Sequence, residues 1–107
     1  MSTAPKAKIL EIAQLVGYQD GSIVSRLIVQ SEAGNVTLFA FDARQELSEH
    51  TTPFDAMVHI LDGEAGIEIS GQTFHLAAGQ AIIMPANEPH AVKAKTRFKM
   101  LLTMINA

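Results

Sequence analysis

The chain has 107 residues, 48% of them hydrophobic and 18% charged, with a formal net charge of −3. That is the length of one domain, too apolar for intrinsic disorder and too acidic for the phosphate contacts that carry nucleic-acid binding. The chain contains no cysteine, which excludes disulfides, cysteine zinc sites, iron–sulfur clusters and thiol nucleophiles.

Residues 1–7 are small and polar and are predicted to form a loose arm ahead of a single domain at 8–107. The arm lacks the apolar run of a secretory signal, and no stretch approaches the ~18 apolar residues of a membrane span. A cytoplasmic protein with no membrane partner is therefore expected. Ile9, Ile12, Ala13 and Val16 follow helical spacing, and Gly17 stands where a C-cap would, so a short helical turn is predicted.

From there the pattern turns to strands. Ser22–Gln30 is rich in β-branched residues, and Val36–Asp42 is apolar on both faces. Residues 43–55 read as a polar loop that contains His50. Ala56–Leu61 should stop at Asp62-Gly63, and Ala65–Ile69 at Ser70-Gly71. Thr73–Leu76, Ala81–Met84, His90–Ala94 and Phe98–Ile105 complete the series. Short strands with turns every eight to twelve residues argue an all-β sandwich or barrel. Several strands are apolar on both faces, so a covering element or a second subunit is required; a homodimer is expected. The alternating Lys93, Lys95, Arg97 and Lys99 read as a solvated strand face.

With no cysteine, a metal or catalytic site must draw on the four histidines, His50, His59, His75 and His90. Parity separates them. If Ala56, Val58 and Ile60 point inward, then His59 points outward with Met57 and Leu61. His75 alternates with the apolar pair Phe74 and Leu76 and also faces out. His59 could reach the interior only if a bulge lay between it and Ala56. On the last strand Phe98, Met100, Leu102 and Met104 share the inner face, and Met84 ends the strand that precedes residues 85–89. Methionine is a flexible core filler, and it also suits Cu(I).

Two spaced sets of residues stand out: Arg44, His50, Thr52, Ala56, Gly63, and then Gly79, Pro85, Asn87, His90, Ala94. Their spacings resemble the two motifs of a small single-domain cupin of the Cupin_2, RmlC-like type, G-x5-H-x-H-x3-E-x6-G and G-x5-P-x-G-x2-H-x3-N. The resemblance implies a double-stranded β-helix, or jelly-roll, barrel behind the short helical turn. It implies metal ligands at positions 50, 52, 56 and 90, of which His50 and His90 alone keep an imidazole. Thr52 and Ala56 replace a histidine and the one anionic ligand, and His59 is the remaining candidate for the ion.

Three functions stay open. The first is a small-molecule binder, with Ala56, Val58, Ile60, Met84, Phe98, Met100 and Met104 lining an apolar cavity and His50, Thr52 and His90 supplying polar contacts. The second is a metal-dependent dioxygenase or isomerase holding Zn, Ni, Mn, Fe or Cu on His50 and His90. The third is a dimeric structural or regulatory module whose outer surface, with Met57, His59 and Leu61, matters more than its cavity.

Overall fold

A computed structural model describes residues 3–106. Its strands are β1 (Ile23–Ser31), β2 (Gly34–Phe41), β3 (Glu46–His50), β4 (Asp55–Ile69), β5 (Gln72–Ala77), β6 (Ala81–Met84), β7 (His90–Lys93) and β8 (Phe98–Ile105), preceded by one 3-10 turn at Ile12–Gln14. The pairing is antiparallel throughout, in the order β1-β2-β8-β4-β7-β3, with β5 and β6 also on β4. The all-β jelly-roll expectation is met. No helix among the described residues is long and apolar enough to cross a membrane.

Two expectations need correction. Residues 43–55 are not all loop, because Glu46–His50 pairs with β7 as an edge strand. Its pattern conceals it: Leu47 alone is partly buried while its four polar neighbours are exposed. Nor does a strand stop at Asp62-Gly63. β4 runs through it and changes layers, its first half lying between β6 and β8 and its second between β5 and β7.

The crossing works because of a bulge. Register against β8 is continuous from Asp55 to Ile60, then slips by one residue before Asp62. The extra residue reverses the side-chain parity. Ala56, Val58 and Ile60 face the interior before the slip, and Ala65 and Ile67 face it after. Gly63 sits at the bend with φ 75°, where a Cβ would lie 2.2 Å from the Arg97 carbonyl oxygen. The backbones touch there, so no side chain fits.

The core between the layers holds Phe41, Val58, Ile60, Ile67, Val92, Phe98 and Met100, each at most 2% exposed. Phe41 and Phe98 are cross-strand partners with rings stacked 4.5 Å apart. A second cluster lies on the outer side of the first layer. Leu38 and Ala40, both fully buried, pack there with Ala4, Val16 and Ile28, and Leu10, Ile12 and Leu15 are partly buried against them. The N-terminal segment is thus what covers the outward apolar faces of β1, β2 and β8.

Polar contacts fasten that segment. The Ala4 N–H donates to Ile28 O at 2.9 Å. Lys99 Nζ donates to Ala13 O, and Tyr18 Oη to Asp62 Oδ2, both at 2.6 Å. Arg97 bridges Asp42 and Asp20, and with the N–H groups of Gly21 and Ala43 it holds the Asp42 carboxyl down to about 2. So the basic run does more than meet solvent, since Lys93 also pairs with Glu68. Ile9, expected on the helical face, is 96% exposed, because the turn covers only Ile12–Gln14.

Phe98→Ala removes one ring of the central stack and should cost about 3–5 kcal/mol in chemical denaturation. Gly63→Ala should cost more than about 2 kcal/mol, since the clash is with backbone and φ is positive. An unchanged denaturation midpoint in either variant would contradict this account of the core.

Candidate functional site

β3 ends at His50 and β7 begins at His90, and the two residues are register partners. β7 is held there by the second half of β4, with Ile69 opposite His90. Residues 85–89 lead into His90 and are tied down on both sides. The Ala86 N–H donates to Asp55 Oδ1, the Asn87 N–H to Thr52 O and the Ser70 N–H to Pro89 O, all at 2.8 Å. Ser70 Oγ adds a bond to Glu88 Oε2 at 2.5 Å. Arg44 and Asn87 occupy motif positions where the family has glycine, and both adopt positive φ, 71° and 66°. Asparagine tolerates that conformation well; arginine carries a strain of roughly 1–2 kcal/mol.

The two imidazoles meet edge to face, with Nε2 to Nε2 at 3.1 Å. His50 Nδ1 lies 2.8 Å from Ser48 O, and His90 Nδ1 3.3 Å from Glu88 O. A carbonyl oxygen can only accept, so each Nδ1 carries a hydrogen. Two neutral rings would then turn bare Nε2 lone pairs on each other. All three contacts are satisfied only when one further proton lies between the rings, and the burial of His90 opposes that proton. His90 is 5% exposed. Its pKa is lowered by burial and further by the charge on His50, against a smaller upward pull from the Glu88 carbonyl. His50 is exposed, so the pair joins a solvent-facing ring to a buried one.

The other predicted residues divide into two groups. Ala56 is paired in register with Met84 on one side and Met104 on the other; Ala56 and Met84 are buried in the core cluster and Met104 is partly buried against it. They stand at the end of the first layer that the 51–54 and 85–89 connections join to His50 and His90. Val58, Ile60, Phe98 and Met100 lie deeper and are packed against one another with at most 1% exposure. Thr52 turns its hydroxyl to Phe54 O at 3.2 Å. His59 alternates with buried Val58 and Ile60 and pairs with Ala81 and Leu101, and the register bulge comes only after Ile60, so it faces away from the histidine pair. His75 is exposed on β5.

These residues do not fit the four-ligand ion that the motif resemblance implies. No group of three or more His, Asp or Glu side chains converges among the described residues. Ala56 offers a methyl where an anionic ligand would stand, and the two Nε2 atoms are within bonding distance of each other. Durable transition-metal sites use three or more protein ligands.

The cupin domain profile of the Cupin_2 family matches residues 37–106. A conserved protein of unknown function from Streptococcus pyogenes is similar over the whole chain and 96% of its own, at 40% identity and a TM-score of 0.91. A cupin superfamily protein from Desulfitobacterium hafniense is 29% identical over 99% of this chain and 97% of its own, also at 0.91. A Cupin 2 conserved barrel domain protein from Leptotrichia buccalis is 37% identical over 90% of this chain, with a TM-score of 0.87, and the match spans 47% of that protein. No curated protein matches the chain. The chain belongs to the cupin family.

The lowered pKa of His90 makes stability depend on pH. Above about 6.5, the unfolded histidine's value, neither state binds the proton and the stability is fully present. As pH falls from there toward the lowered folded value, the unfolded chain takes up a proton that the folded chain resists, and stability is lost. Denaturation midpoints followed from about pH 8 to about pH 5 should fall for the native protein and fall less for His90→Gln. Equal slopes would show that His90 is not the group responsible.

Proposed function

We propose that this cupin binds a small organic acid at the mouth of its barrel, with His50 and His90 as the polar contacts. The observation that carries the reading is the pair of imidazoles 3.1 Å apart, one exposed and one buried. Once the two Nδ1 atoms are occupied by backbone carbonyls, the polar atoms left are the two Nε2, turned on each other, and a ligand would part that contact to reach them, with Ala56, Met84 and Met104 at the end of the adjoining layer. A carboxylate that parted the rings would favour the protonated form of the pair, whose Nε2–H would donate to it in a charge-assisted bond. The apolar neighbours would take the rest of such a ligand. Ligand contact is assigned to this rim; Val58, Ile60, Phe98 and Met100 shape its floor from below.

The test is a thermal-shift series with small carboxylic acids, their amides, sugars and neutral aromatics. Acids should raise the melting temperature and their amides should not; His50→Ala and His90→Ala should each abolish the rise. A melting temperature unmoved by every acid would end the proposal. Metal analysis of tag-free protein after incubation with Zn, Ni, Mn, Fe and Cu tests the competing reading, a two-histidine ion site; one bound ion per chain would replace the acid-binding reading.

We also propose a homodimer, carried by a different surface. Ile83, Met57, Thr103, Val36 and Val29 are successive register partners across β6, β4, β8, β2 and β1. They form one outward row in which Val36 packs against the cluster under the N-terminal segment, while Ile83 is 62%, Val29 45% and Met57 38% exposed. A mostly apolar row of this kind, interrupted only by Thr103, marks an interaction surface. Sedimentation at micromolar concentration should give a dimer, and Met57→Asp combined with Ile83→Asp should give a folded monomer. A native protein that sediments as a monomer overturns this assignment.

A further inference from the structure

The outer face of the second layer carries a cleft of about 360 Å³ that no part of the histidine pair enters. Its floor is Gly66. In register, Gly66 faces His75 on β5 and Lys93 on β7, and Glu64 and Glu68 precede and follow it on the same side of β4. A glycine floor is thus ringed by two carboxylates along the strand and two basic side chains across it.

Nothing in the backbone requires a glycine there. Gly34 and Gly63, the other strand glycines, have positive φ, and a Cβ on either would come within 2.2 Å of a carbonyl oxygen. Gly66 has no positive φ, and a Cβ would meet only Lys93 O at 3.6 Å, an ordinary contact. Its pairing with both neighbours is unbroken, so it marks no bulge. Glycine in a strand interior weakens the strand, and it often marks a bulge, a bend, or a place where a ligand or another backbone comes close; at Gly66 there is no bulge, and no other backbone comes nearer than the Lys93 carbonyl.

Charge decides the class of ligand. Lys93 is already paired with Glu68 at 2.9 Å. Glu64 and Lys95 both line the cleft at its other end, yet neither forms an ion pair among the described residues. Two opposite, unpaired charges at one end of a cavity suit a ligand that itself carries both signs. The volume lies at the small end of the ~300–1,000 Å³ range of ligand pockets, and Leu76 and Ala77 add apolar lining. We propose that this cleft binds a free α-amino acid with an apolar side chain. Its carboxylate pairs with Lys95, its ammonium with Glu64, and its side chain lies over Gly66 between His75 and Lys93.

Titration of the 15N-labelled full chain with L-phenylalanine and L-leucine tests this. Saturable shifts are expected at amides of 64–68, 73–77 and 93–96. L-phenylalanine amide and N-acetyl-L-phenylalanine each lack one charge and should bind at least about tenfold more weakly, as should L-phenylalanine itself to Glu64→Gln or Lys95→Met. Gly66→Val fills the cleft and should abolish the shifts while the melting temperature holds or rises. His50→Ala should leave them intact, which separates this site from the barrel mouth. Absence of saturable shifts at these amides, or their survival in Gly66→Val, overturns the proposal. Shifts that follow protein concentration instead of added amino acid also overturn it, by making the cleft a contact between copies.

Discussion

One strand has to serve two layers, and the rest of the molecule is arranged around how it does so. β4 pairs with β6 and β8 in its first half and with β5 and β7 in its second. A strand that bent without a change of register would turn its apolar set outward on one side of the bend, because side-chain parity has period two. The bulge after Ile60 adds the one residue that keeps Ala56, Val58, Ile60, Ala65 and Ile67 all facing in. Gly63 then lets the backbone pass against the Arg97 carbonyl. Both candidate sites inherit this geometry. The far end of β4 sets Ile69 against His90, and so sets His90 against His50. The same parity turns Glu64, Gly66 and Glu68 outward.

The histidine pair shows what becomes of a four-position motif when two positions lose their donors. Without a carboxylate or a third imidazole, the two rings satisfy each other through Nε2 and the backbone through Nδ1. The balance is an arithmetic of protons: three bonds and no bare lone pair require three hydrogens on two rings. Burial of His90 works against the third of them. In the proposed function such a couple would orient an anion, where a full ligand set would hold an ion.

Much of the fold was legible because its signals were local. Ala81–Met84 and Phe98–Ile105 have the predicted bounds, being apolar runs closed by a proline or by polar residues. β3 was hidden because an edge strand with one partly buried residue in five has almost no hydrophobic pattern to detect. β4 was divided in two because Asp62-Gly63 is a turn dipeptide by composition, and only the register against β8 reveals that the chain goes straight through. Parity alone placed His59 and His75 outward, whereas His50 and His90 were paired by their positions in the two motifs. The covering of β1, β2 and β8 by residues 4–18 was not legible, since it depends on where a segment with almost no regular structure lies in three dimensions.

The strand glycines explain why the cleft escaped a reading of the sequence. Gly34, Gly63 and Gly66 are identical as letters, and each follows a small or polar residue, Ala33, Asp62 and Ala65. Only coordinates distinguish them: a Cβ on the first two would lie at 1.9 and 2.2 Å from a carbonyl oxygen, while at Gly66 the nearest atom is 3.6 Å away. The first two are glycine because another backbone occupies the space. Gly66 is glycine in a position where valine would pack and would favour the strand. The cost of leaving that position bare falls on the folded barrel itself, and the one thing the bare position provides is room on its outer face, beside Glu64 and Lys95.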